Sequence, residues 1–291
     1  TDKIGVWISG FFGSGKSHFL KIISYLLENR EINGHHAIDF FHDKIQDPMV
    51  LADMQRAANI DTDVMLFNID SKASSNSKSD KEAIMHVFMQ VFNDMRGYYG
   101  PNLHVADLEE DLDKEGKLEA FKVAYQKADS KNESWEKGRR SVVLKSKAVR
   151  SALIEVGKFD SENLADEWIK STRAAYSLSI EDFANRINEY LNSKERNHHI
   201  AFLADEMGQY IGDSRDRMLN LQTVAEDLGR LTDGRAWVIV TAQEEIDSLA
   251  KADTMHMADF SKIQGRFDTR ISMSSSNVDE VIKRRLLEKK P

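Results

Sequence analysis

The sequence predicts a three-layer α/β/α domain on a five-stranded, mainly parallel sheet, interrupted by a large helical insertion. Three observations carry that prediction. Five short apolar runs punctuate the chain, and the first four are near-continuous, as strands buried on both faces of a parallel sheet are. Amphipathic helical stripes fill the intervals, the alternation expected of an α/β fold. One interval is far longer than the dozen or so residues that a parallel crossover needs.

The first run is Ile4–Ser9. It is followed by a stripe of Phe19, Ile22, Ile23, Leu26 and Leu27, which predicts a helix after Gly15. The second run spans 63–69. Residues 72–198 then read as a polar, mostly helical insertion with helices over 80–97, 106–128, 133–157 and 161–176. Its entry, 71–79, is Ser- and Lys-rich and reads as a loop, and Gly97–Asn102 is its clearest internal break. Ser179, with Asp182 three residues on, caps a helix carrying Ile180, Phe183, Ile187 and Leu191. The third run is 199–204. A helix over 218–231 ends near Gly234, and runs 236–241 and 269–273 follow. The core is therefore expected at 1–71 and 199–291, and the insertion at 72–198.

Composition narrows the functions open to the chain. There are 291 residues, a net charge of −8 and no cysteine, which excludes disulfides, thiolate metal sites and cysteine nucleophiles. The acidic balance excludes a wholly basic coat for nucleic acid but not a local patch. No apolar run reaches the roughly eighteen residues of a membrane-spanning helix.

Directly after the first run, Gly10-Phe11-Phe12-Gly13-Ser14-Gly15-Lys16-Ser17 fits G-x-x-x-x-G-K-[ST], the Walker A phosphate loop. It lies between a strand and a helix, as its chemistry requires. Glycines let backbone N–H groups converge on phosphate, and the helix start adds unpaired donors and partial positive charge. Gly10, Gly13, Ser14, Gly15, Lys16, Ser17 and His18 are thus expected to hold a nucleotide. Lys16 would reach the β- and γ-phosphates, and Ser17 would ligate Mg²⁺.

The third run ends in Asp205-Glu206, a Walker B pattern. Asp205 is the expected second Mg²⁺ partner, and Glu206 the residue that polarises the attacking water. The fourth run ends Thr241-Ala242-Gln243. If its strand lies between the first and third, Thr241 or Gln243 would help hold that water, the sensor-1 role. Arg266, in Gly265-Arg266-Phe267-Asp268-Thr269-Arg270, is the candidate arginine finger acting on a neighbouring subunit, with Arg270 second.

Together these residues resemble the additional-strand, catalytic-glutamate class of P-loop NTPases, the AAA+ and initiator-type ATPases in particular. More narrowly, Trp7–Lys21, Ala204–Ile211, Trp237–Glu245 and the tail from Ile263 to Ile282 are similar to the BrxC-type (PglY) ATPases of BREX phage-defence systems. The aromatic pair Phe11-Phe12 is the most specific element. The resemblance implies ATP and Mg²⁺ as cofactors and a longer bacterial, cytoplasmic protein, of which this chain is the nucleotide-binding segment. It also implies self-association with nucleotide at the subunit interface and partnership with other BREX components, and leaves direct DNA binding open. The expected function is ATP hydrolysis coupled to assembly or remodelling of a defence complex. A non-hydrolysing, nucleotide-dependent scaffold or switch is the alternative. A P-loop kinase is disfavoured, since no arginine-bearing lid is evident. A sensor-2 arginine is not assignable, because the chain stops at Pro291, in what would be the first lid helix.

Two charge clusters remain. Lys137, Arg139, Arg140, Lys145, Lys147 and Arg150 form a run without an acid. It reads as a solvated helix face, or as a contact for phosphates or an acidic partner. Lys283, Arg284, Arg285, Lys289 and Lys290 form the second, expected to face a lid or a neighbouring subunit.

Overall fold

The computed structural model describes residues 4–72, 82–212, 214–243 and 265–273. They form two compact units, residues 1–88 with 179–291 and residues 89–178.

The first unit is an α/β core. Five strands, β1 (Gly5–Gly10), β2 (Thr62–Asn68), β3 (His199–Asp205), β4 (Ala236–Ala242) and β5 (Thr269–Met273), form one sheet in the order β2-β3-β4-β1-β5. Every pairing is parallel. The three interior strands are nearly all buried, which explains their unbroken apolar runs. β2, expected to be buried on both faces, lies instead at an edge, with Leu66 exposed and Asp63 half-buried. β5 is the other edge and is the most exposed strand.

Side chains alternate across the sheet, so each strand feeds two cores. On one face Ile8, Ala201, Leu203 and Ile239 pack with Leu20, Phe19, Ile23 and Leu27 of α1 (Lys16–Glu28). On the other, Phe202 stacks on Phe88 of α4 (Ala83–Met95) with centroids 4.8 Å apart. It also meets Phe183 of α10 (Ile180–Asn192) at 6.1 Å. α12 (Arg215–Leu231) packs beside α10 on this face. Ser179 caps α10 as expected, its hydroxyl accepting from the Asp182 N–H at 3.0 Å.

α2 (Pro48–Ala58) was not foreseen, although its start is legible: the Asp47 carboxylate accepts from the Met49 and Val50 N–H groups, and proline sits at the first helical position. Ser71 and Lys72, expected in a loop, instead end a short helix, α3 (Ile69–Lys72); residues 73–79 of that loop lie outside the described residues.

The second unit is helical, with α5 (Leu103–Lys114), α6 (Leu118–Ala128), α7 (Trp135–Gly138), α8 (Ser146–Glu155) and α9 (Glu162–Ser171). The expected helix 106–128 is two helices. Gly116 takes a left-handed φ of 67°, and the Lys117 N–H closes back on the Leu112 carbonyl at 2.7 Å, ending α5. The expected helix 133–157 is also divided, by a 3₁₀ turn over Arg139–Ser141. Trp135 anchors this core edge-on to Phe121 and Tyr125. Its indole N–H donates to the buried Glu109 carboxylate at 2.6 Å, which also accepts from Arg139 at 2.9 Å and from the Tyr99 N–H. Among the described residues no helix is long and apolar enough to cross a membrane.

Candidate functional site

A parallel sheet gathers the carboxyl ends of its strands along one edge. Here the strand order sets β4 between β1 and β3, the arrangement on which the reading of Thr241 and Gln243 depends. The register pairs Asn68 with Asp205 and Ala204 with Val240, so Asn68, Asp205 and Thr241 stand in one row. Past this row opens a cleft of about 350 Å³. Gly13, Gly15, Lys16, Ser17, His18, Asp205, Glu206, Thr241 and Gln243 line it, with Phe12 and Gln209.

One wall is the loop between β1 and α1. Gly13 and Gly15 take φ of 82° and 90°, a left-handed region that side-chain-bearing residues rarely adopt, and this lets the loop curl over the start of α1. Gly15 is the N-cap of α1. No side chain caps this helix and its first turn carries no acid, so its leading N–H groups remain available to an anion. Lys16 begins the helix and folds back, donating to the carbonyls of Gly10 (2.6 Å) and Phe11 (3.0 Å). Burial pushes its ammonium below the usual value, while the Asp205 and Glu206 carboxylates pull it back up. Ser14 is buried behind the loop with its hydroxyl unpartnered. Phe12 is 84% exposed at the rim.

The opposite wall is the Asp205–Glu206 pair. Thr241 is fully buried between β3 and β4. Its hydroxyl donates to Asp205 Oδ1 at 2.5 Å and accepts from the Glu206 N–H at 2.9 Å. That N–H also reaches Asp205 Oδ1 at 3.1 Å. Glu206 takes a left-handed φ of 62°, the kind of strained backbone that a surrounding network must hold. The Asn68 amide donates to Glu206 Oε2 at 2.5 Å. Behind it, Gly208 of α11 (Met207–Ile211) lies so close to β4 that an added Cβ would sit 2.4 Å from that of Ala242.

Of the two residues weighed for holding water, Thr241 is thus occupied in fixing the acidic pair. Gln243 is exposed on the cleft wall. Asn68 and Gln209 were missed. Asn68 ends β2 as Asp205 ends β3, but in the sequence it stands inside the apolar run 63–69 and not after it, which masked the parallel. Arg266 does not join the cleft. It precedes Thr269, which pairs with Val6 near the start of β1, so it stands by the opposite edge of the sheet. There its guanidinium pairs with Glu226 at 2.7 Å. Residues 274–291, which include the second basic cluster and the expected lid start, lie outside the described residues, as does the segment 244–264.

The donor set fits a phosphate chain with Mg²⁺. It combines uncapped helix N–H groups, an ammonium, a hydroxyl at Ser17 and an acid at Asp205. Among the described residues no group of three or more His, Asp or Glu side chains could hold a metal. No family model matches the chain, and no solved structure matches it.

Proposed function

We propose that the chain binds ATP with Mg²⁺ in this cleft and hydrolyses its terminal phosphoanhydride, as a P-loop ATPase of the AAA+-like, catalytic-glutamate class. The observation that carries the reading is the meeting of the two motifs. Lys16 and Ser17 at an uncapped helix start face Asp205 and Glu206 across one cleft, though nearly 190 residues separate them in the chain. The position of β4 between β1 and β3 supports the same class.

The loop amides and Lys16 would bind the phosphates, and Lys16 would offset charge growing on the leaving oxygens. Ser17 and Asp205 would hold the Mg²⁺, which supplies electrostatic stabilisation of the transferring phosphoryl group. Glu206 would orient water in line and draw off its proton, with Gln243 as the second contact to that water. Arg266 could serve only a second copy of the chain, after leaving Glu226.

A nucleotide-dependent switch that hydrolyses little is the second reading. It is favoured by Glu206 being held by Asn68 and Arg266 by Glu226. The resemblance to BrxC-type ATPases extends the proposal to a cytoplasmic BREX defence complex, assembled or remodelled by the ATP cycle with other BREX components, in contact with DNA.

Lys16→Ala should abolish ATP binding, and Glu206→Gln should retain binding while losing hydrolysis. Unchanged ATP affinity in Lys16→Ala would sink the proposal. Turnover per molecule that rises with protein concentration would favour hydrolysis with a finger in trans. Concentration-independent, negligible turnover would favour the switch.

A further inference from the structure

The second unit carries a basic cleft of its own. Of the six cations in the run 137–150, three are used internally. Arg139 pairs with Glu109 at 2.9 Å, Lys145 with Asp129 and Glu133 at 2.8 Å each, and Arg150 with Asp166 at 2.9 Å. Lys137, Arg140 and Lys147 are exposed and have no ion-pair partner among the described residues. Arg140 is not alone. The end of α9 brings Arg173, also exposed and unpaired among the described residues, to the same cleft of about 360 Å³. No carboxylate lines this cleft, although the chain as a whole is acidic. Tyr99 forms part of its wall, with the Arg139 guanidinium 5.2 Å from the ring centre, and the exposed Ser141 offers a hydroxyl.

We propose that this cleft binds the phosphate backbone of a single-stranded nucleic acid, with Arg140 and Arg173 on successive phosphates and Tyr99 as a surface for a base. Guanidinium forks match phosphate oxygens, and unspecific single-strand sites pair cationic grooves with aromatic faces. An acidic peptide fits less well. The lining consists of turns and helix ends, whose Asn102 and Arg173 N–H groups already bond to the nearby Tyr99 and Lys170 carbonyls, so no strand edge is offered to extend. The inference is independent of the ATPase reading, because no residue of the nucleotide cleft enters it.

The test is fluorescence anisotropy of a short labelled single-stranded oligonucleotide with the whole chain, over a range of salt and without nucleotide. Arg140→Ala/Arg173→Ala should weaken binding at least tenfold. It should also flatten the slope of log K against log salt by about 1.4, at about 0.7 per phosphate contact. Lys127→Ala/Lys194→Ala removes equal charge elsewhere and should leave binding near the parent's. Circular dichroism establishes that each variant is folded, and Arg140→Lys/Arg173→Lys should restore much of the salt slope if the pair were to perturb folding. The proposal is overturned if the parent does not bind the oligonucleotide, if both double variants weaken binding equally, or if a poly-glutamate peptide competes as well as unlabelled oligonucleotide.

Discussion

Replacing Thr241 with valine isolates what holds the acidic pair in place. The exchange keeps the volume of a fully buried side chain but deletes two hydrogen bonds, one to the Glu206 N–H and one to Asp205 Oδ1. A neutral bond is worth about 1 kcal/mol and one to a carboxylate about 1.5–3 kcal/mol, so Thr241→Val should destabilise the core by about 2.5–4 kcal/mol. The contact remaining between the Glu206 N–H and Asp205 puts the lower half of that range first. A second effect follows from the backbone. The left-handed φ at Glu206 costs on the order of 1–3 kcal/mol, and those bonds help to hold it. Once it relaxes, the carboxylate shifts, and a displacement of about 1 Å at a reacting centre can cost about a hundredfold in rate. Urea unfolding and ATP turnover should therefore fall together, with ATP affinity largely kept. Thr241→Ser, which restores the hydroxyl, should recover most of both. The reasoning fails if Thr241→Val unfolds at the parent's midpoint, or if Thr241→Ser is as impaired as Thr241→Val.

Three further outcomes are expected. Gly208→Ala should cost about 1–3 kcal/mol by overpacking against Ala242, and adding Ala242→Gly should relieve it, as read by thermal unfolding. Glu109→Ala should cost the helical unit about 3–5 kcal/mol by leaving Arg139, the Trp135 indole and the Tyr99 N–H without their buried acceptor; near-ultraviolet dichroism of Trp135 would report the loss. At Glu110, desolvation pushes the carboxyl up, but hydrogen bonds and charge from Arg96, then Lys114, outweigh it and bring it down to about 2 from 4.5. A folded-state value below the unfolded one gives stability that is present above 4.5 and lost as pH falls toward 2. Glu110→Gln should therefore be less stable than the parent near neutrality, with the gap closing in denaturation curves taken between about pH 5 and pH 2.

The strands were legible because burial on both faces leaves a mark in composition. Ile4–Ser9, 199–204 and 236–241 each fall within a residue or two of an interior strand. β2 read as interior because its apolar content resembles that of its neighbours, yet edge position depends on which strand pairs with which, a non-local fact. In the insertion, periodicity found the helices but ran through their ends at Gly116 and at the 3₁₀ turn, where local backbone geometry prevails over pattern. Asp47-Pro48 shows the reverse: a strong start signal was present and went unread.

For the candidate site, the glycine-rich loop and the Asp-Glu pair stand in the sequence as contiguous residue types. How they meet does not. Strand order and register bring Asn68, Asp205 and Thr241 into one row, where the Thr241 hydroxyl bonds both Asp205 and the Glu206 N–H. The same packing sets Arg266 by the far edge of the sheet. In the helical unit, ion pairs separate the six cations of the run 137–150 into three used internally and three left exposed. The sequence by itself determined most of the elements and where the two motifs lie, because short-range pattern records burial and backbone need. Only the tertiary structure decided which side chains share a hydrogen bond, because partners 35 to 138 residues apart are chosen by the pairing of strands and not by any local preference.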